Sequence, residues 1–320
     1  MMRKTKWRLL LAVALLVVGL ILTIGGMKML QWNISALGLP TYDTATYELT
    51  DPVSSLTIEA GTADVTITKT TNEYGRVVCY EKEKQRYVVG MRGDELVITL
   101  DDQRKWYERF FSYGQPNITV YLPEGEYTAL KIKNSTGDVT VRQDFRFDSA
   151  DITASTGDVT CEAAVSGEVK IALSTGNISF TGKTAGALSL SVSTGHVSVE
   201  NTAVTDNVSV RVSTGKATLK NVTCASFSST GDTGDLTLTD VVATGALTVE
   251  RSTGDVKFVR CDAAELDVKT DTGDVTGSLR SSKVFIAHTD TGRISVPESV
   301  TGGKCKVETD TGKIMLTVEQ

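Results

Sequence analysis

The sequence predicts an all-β chain, a parallel β-solenoid of about ten coils of 19 or 20 residues with an irregular β N-terminal cap, preceded by one transmembrane helix. Three observations carry this expectation. A Thr-Gly pair recurs ten times at that spacing. Apolar residues around each copy alternate with the period of two that marks half-buried strands. Leu9 to Met27 forms a run of 19 residues, all apolar or small except Thr23.

Roughly 20 apolar residues cross the hydrocarbon core as a helix, so residues 9–27 are expected to span a membrane once. Arg3, Lys4, Lys6 and Arg8 precede the run, and Lys28 alone follows it closely. That bias puts the tail, residues 1–8, in the cytoplasm and everything beyond residue 30 outside. The run is longer than the core of about 7–15 residues in a cleavable signal, and no A-x-A site follows it, which favours a retained signal anchor. Residues 28–45 then read as a linker.

The formal charge of −6 combines unlike parts. Those five flanking bases are among 33, which leaves 28 against 39 acids in the remainder. An acidic extracytoplasmic body is a poor match to nucleic acid or to anionic lipid.

Residues 46–128 keep a looser β pattern and read as an irregular capping region. Leu56, Ile58 and Ala60, then Ala63, Val65 and Ile67, reproduce the repeat with Ala63 in the Gly position, a divergent first coil. Strand-like runs follow at 76–80, 96–100 and 118–122, with an interruption over 101–116. Terminal repeats are commonly atypical because they must cap the stack. The interruption holds Trp106, Tyr107, Phe110, Phe111 and Tyr113 together with Lys105 and Arg109. These rings either plug the membrane-proximal end or meet a partner, since aromatics and Arg anchor interfaces. Trp106, Tyr107, Arg109, Phe110, Phe111 and Tyr113 are therefore the candidate partner contact.

Residues 129–320 hold the repeats, with turn glycines at Gly137, Gly157, Gly176, Gly195, Gly215, Gly234, Gly254, Gly273, Gly292 and Gly312. Counted from the Gly, position +2 is apolar in every copy, and +4 in all but Gly277. Position −7 is apolar throughout, and −5 in all but Ser229. Inward positions are thus odd before the Gly and even after it. A slip of one residue throws side chains to the opposite face unless the chain bends there, so Thr-Gly marks a corner. Gly supplies the positive φ a corner wants, and the Ser or Asp before the Thr is placed to bond the turn backbone. Residues one period apart stack as parallel ladders at about 4.8 Å, so ten coils make a rod about 48 Å long. The stretch from +5 to −8 is expected to hold the second corner.

Several motifs suggest chemistry and lose to structural readings. Asp232, Asp271, Asp290 and Asp310 each begin an Asp-Thr-Gly triplet, as in aspartic proteases, yet the same slot is Ser in six other copies. The pairs Asp232/Asp235 and Asp271/Asp274 have the oxygen ligands of a Ca²⁺ site, but Lys216, Arg293 and Lys313 fill the second slot elsewhere. Thr or Ser at +3 in eight copies hints at a flat hydroxyl face, broken by the variable charges at +5. Cys161 and Cys305 fall in inward columns and behave as small apolar residues. Cys224 and Cys261 lie in the less regular arm, where an inter-coil bond stays open. His196 and His288 are far apart with no nucleophile beside them. No catalytic residue, cofactor or metal is expected, and the chain does not read as an enzyme.

The charged tail, single span, linker, the segment Ile118-Thr-Val-Tyr-Leu-Pro123, and Ser-Thr-Gly-Asp-Val units at Ser135–Val139 and Ser155–Val159 resemble a bacterial family. It is a membrane-anchored β-strand repeat family of unknown function whose members are labelled candidate adhesins. The resemblance covers roughly residues 46–318 and implies architecture without catalytic residues. The expected function is a noncatalytic, extracytoplasmic scaffold or adhesin-like binding module. The alternatives are an accessory or sensory subunit of an envelope-stress system and, behind it, a polysaccharide-processing β-helix enzyme. The expected partners are the membrane, a protein or cell-envelope glycan, and end-to-end copies of the chain through an open C-terminal edge.

Overall fold

Alternating side chains that slip phase at every Thr-Gly can all point inward only if the chain turns at each slip, and the chain does so. The structure, a computed structural model, describes residues 2–29, 42–105 and 114–319. In the coil of Gly176 the chain runs as Glu168–Thr175, turns, continues as Ile178–Phe180 and closes with Thr184–Ala185. Successive coils pair in parallel register, for example Val169 with Leu188 and Leu188 with Val208. The inward columns make one continuous core in which Phe145, Phe147, Phe180, Phe227 and Phe258 are among the largest fully buried side chains.

Nine of the ten corner glycines, all but Gly292, adopt φ from 118° at Gly137 to 156° at Gly273 and Gly312. A second corner lies six residues later, where Asn201, Asn221, Asp240 and Arg260 hold φ of 55°, 54°, 53° and 52°. Left-handed backbone is costly for residues other than Gly. Side-chain ladders accompany it here: Asn221 Nδ2 donates to Asn201 Oδ1 at 3.0 Å, and both Arg260 and Arg280 donate to the Asp240 carboxylate.

The Thr-Gly corner has its own ladder, built by the residue after the Gly rather than by the expected Ser or Asp before the Thr. Asp64 Oδ1 accepts the Asp138 N–H, Asp138 Oδ1 that of Asp158, and Asp158 Oδ1 that of Asn177. Asn177 and His196 continue it to Lys216. A second run passes from Asp235 through Asp255 and Asp274 to Lys313. Lys offers no acceptor, so each run stops there.

The coil order departs from the chain order at both ends. The strands β1 (Tyr42–Glu48), β2 (Ser55–Gly61), β3 (Asp64–Thr70), β4 (Arg76–Lys82), β5 (Gln85–Arg92), β6 (Glu95–Asp102) and β7 (Asn117–Pro123) build the first end. The coil of β2 and β3 is not outermost, because β6 and β7 pair with it in parallel on its far side. Antiparallel β5 covers β6, and β4 followed by β1 covers β7.

At the other end the coil of Gly312 lies between those of Gly273 and Gly292: Leu266 pairs with Cys305, and Phe285 pairs with Cys305 on the opposite side. The Asp274 carboxylate takes both the Lys313 N–H and its Nζ, and Thr309 donates to the Gly273 carbonyl. The open edge expected at the C-terminal strand is therefore the strand Lys283–Thr291. Among the described residues nothing pairs with its outer side, and Ile286 and Ile294 stay 50% and 42% exposed.

Residues Met2–Met29 form one helix, α1, of 28 residues. Its described side chains are those of 12–21, 23–25 and 28. Among the described residues no helix is long and apolar enough to cross a membrane, and the side chains of the expected span over 9–27 are described only in part. Most of the expected linker and the whole aromatic contact, Trp106, Tyr107, Arg109, Phe110, Phe111 and Tyr113, lie outside the described residues.

Candidate functional site

The inward column three residues before the Gly is apolar in mid-stack, with Ala154, Leu173, Val192 and Val212, but the next two coils place Gly231 and Arg251 there. Arg251 is 3% exposed, and Ser229 beneath it is 1% exposed. The two coils fit one another: with no side chain at Gly231, the Arg251 guanidinium occupies the space a Cβ would fill. Its Nη2 donates to Ser229 Oγ at 2.7 Å, and its Nη1 reaches two coils away to the Val212 carbonyl at 3.4 Å. Nε has no partner. Burial pulls the guanidinium below its ordinary pKa, against the opposing charges of Asp232 and Asp235. An ion taken out of water without a close counter-ion carries a penalty of several kcal/mol.

Gly231 and Arg251 form part of the wall of a pocket of about 390 Å³, within the range of small-ligand sites. Parallel pairing places Arg211, Thr230, Glu250 and Lys269 side by side on four successive coils. Two residues further along lies a second row, Ser213, Asp232, Ser252 and Asp271, and both rows line the pocket. Six charged side chains, three of each sign, thus meet at one place. None makes an ion pair within 4 Å, although neighbours on the same solenoid do, such as Lys216 with Asp235 at 3.6 Å.

The acids of the suspected calcium pairs part ways. Asp232 and Asp271 face this pocket, whereas Asp235 and Asp274 spend an oxygen on the backbone ladder. Among the described residues no group of His, Cys, Asp and Glu is placed to hold a metal. All ten turn glycines stand at the corner and none lines the pocket. The five cysteines are free and buried. Burial pushes the Cys161 and Cys305 thiols up to about 12 and Cys224 to about 11, which makes them poor nucleophiles. His196 and His288 are exposed; His196 accepts the Lys216 N–H, and His288 sits 3.0 Å from Asp290.

The Arg251 pocket was missed in the sequence, although a signal was there. Ser229 is the one polar exception at −5, and it falls in the coil that also carries Gly231 at −3, next to Arg251 in the following coil.

The family described as Toastrack DUF4097 matches residues 53–206 and again 183–320. No curated protein matches the chain. Three solved structures are each described as a "putative adhesin". The one from Bacteroides fragilis is 14% identical, with 87% of this chain and 97% of that chain covered and a TM-score of 0.36. Those from Parabacteroides distasonis and Parabacteroides merdae are 10% and 11% identical. They cover 88% and 87% of this chain and 98% and 96% of their own, with TM-scores of 0.49 and 0.47. With two matches that together reach from residue 53 to residue 320, the chain belongs to the Toastrack DUF4097 family.

Proposed function

We propose that this chain is a noncatalytic, adhesin-like binding module, held in the membrane by α1 with its N-terminus in the cytoplasm and its solenoid outside. The observation that carries the reading is where reactive side chains lie. The cysteines are sealed in the core, the histidines stand apart, and the pocket beside Arg251 offers hydrogen-bonding groups without an activated nucleophile. The anchor is supported by Val13, Leu15, Leu16, Val17, Val18, Leu20 and Ile21, which stand 49–74% exposed around the whole helix. A helix apolar on every side is suited to a lipid or protein interior.

The buried cysteines also supply the test of placement. A Ser228→Cys variant puts the single accessible thiol on the exposed face of the solenoid. In spheroplasts a membrane-impermeant maleimide labels that variant and leaves the wild type unlabelled. Labelling that appears only after lysis rules out an external solenoid.

Two contact regions belong to the same proposal. The aromatic segment meets a protein partner, so replacing residues 106–113 with a Gly/Ser loop removes an in-cell crosslink while thermal stability holds; a collapse of stability instead makes it a plug. The edge Lys283–Thr291 lacks the lysines and proline that blunt exposed strands, apart from the buried Lys283. It pairs end to end with a second copy, and Ile286→Lys abolishes that dimer in analytical ultracentrifugation. A wild-type chain that stays monomeric at every concentration removes this contact.

A further inference from the structure

The pocket beside Arg251 combines a buried, unpaired cation with rows of exposed acids, bases and hydroxyls, and this combination restricts what it can hold. A neutral ligand leaves the guanidinium without a counter-ion. A dianion such as phosphate must approach Asp232, Glu250 and Asp271, and like charges within a few ångströms oppose it. A protein partner buries about 800 Å² on each side, far more surface than the ten residues lining this pocket offer. What suits the lining is a monoanion surrounded by hydroxyl groups. A carboxylate matches the planar guanidinium, and each sugar hydroxyl can donate to Asp232, Glu250 or Asp271 while accepting from Arg211, Lys269 or Thr230.

We propose that the Arg251 pocket binds a carboxylate-bearing sugar residue of an envelope polysaccharide, with the carboxylate against the guanidinium and the ring hydroxyls between the two rows. The inference rests on the reading of the solenoid as a binding module and gives that module a ligand class. It also accounts for the polar intrusion into an otherwise apolar core: Ser229 and Gly231 make the room and the contact that hold Arg251 in place. The six lining charges stay apart from one another because their partners come from the ligand.

The test uses the full-length chain in detergent micelles, titrated with sodium glucuronate, glucose and inorganic phosphate by calorimetry and saturation-transfer NMR. Glucuronate saturates one site per chain, and glucose and phosphate bind at least tenfold more weakly. Arg251→Met abolishes glucuronate binding. Because that change touches the core, a second variant, Arg211→Gln with Lys269→Gln, alters only exposed side chains; it keeps the wild-type melting temperature and weakens glucuronate at least threefold. Three results overturn the proposal: no saturable glucuronate binding by the wild type, equal binding by the surface variant, or phosphate binding as tightly as glucuronate. Cosedimentation with isolated cell-wall material separates this inference from the broader one. If wild type and both variants sediment alike, the solenoid remains a binding module and the pocket loses its role; if none sediments, the glycan reading of the module fails as well.

Discussion

Replacing Gly215 by Ala places a methyl group where two constraints meet. The backbone there has φ of 137°, a region occupied almost only by Gly, where another residue costs about 1–3 kcal/mol. The added Cβ would also fall inside the van der Waals shell of the Gly195 carbonyl oxygen in the coil beneath. That oxygen belongs to a stacked backbone, so relief requires coils to move apart, an overpacking cost of about 1–3 kcal/mol more. The total, about 2–6 kcal/mol, is a large share of the stability of an ordinary domain. At about 2–4 °C per kcal/mol for a body of this size, the melting temperature drops by about 4–24 °C. The control is Gly90→Ala, the same change in a strand where a Cβ meets nothing within 4 Å; it moves the melting temperature by at most about 2 °C. Circular dichroism melts of both variants make the comparison. Equal effects would refute the corner argument, since only Gly215 carries both constraints.

Three further outcomes follow from the register and its charges. Val268, fully buried in an inward column, loses at least about 3 kcal/mol on conversion to Asp, while the exposed Lys269→Asp stays within about 0.5 kcal/mol; urea unfolding of the pair checks this. Asp158→Ala removes the acceptor of the Asn177 N–H at 2.8 Å and of its Nδ2 at 3.0 Å, and costs about 1 kcal/mol, whereas Asp158→Asn keeps a carbonyl acceptor and loses less than half of that. Burial alone would raise the Asp262 carboxyl, but hydrogen bonds from Lys283 and Ser281 hold it below its ordinary pKa. A depressed folded pKa gives stability that is present above the unfolded value of about 3.9 and lost as pH falls through the folded one. The gap in melting temperature between wild type and Asp262→Asn is therefore full at pH 7 and closes below about pH 4.

The columns and corners were legible because burial imposes a period of two and a slip of one residue on every coil. Val139, Ile178 and Leu236 show this, each at +2 and each at most 1% exposed. The order of the coils was not legible from those columns. Coils with the same apolar columns stack equally well in any order, so the hydrophobic pattern is blind to the exchange that puts the Gly312 coil inside that of Gly292. The polar ladder records it instead, in the bond from Lys313 to Asp274. Arg251 escaped for a related reason. A charged residue at an inward position reads as an isolated defect until Gly231 and Ser229 are seen to be its neighbours in the adjoining coil, a relation that exists only once the coils are stacked.

The solenoid is proposed as an external binding module whose contacts run through its outer faces. Photo-crosslinking in intact cells, from an unnatural amino acid in place of the exposed Ser252 beside the pocket, tests it most directly. Covalent capture of envelope glycan is expected there, and none from the same group in place of Lys216, outside the pocket and two coils from Ser252. Capture of cytoplasmic proteins alone, or of one stoichiometric membrane protein from both positions, would contradict it.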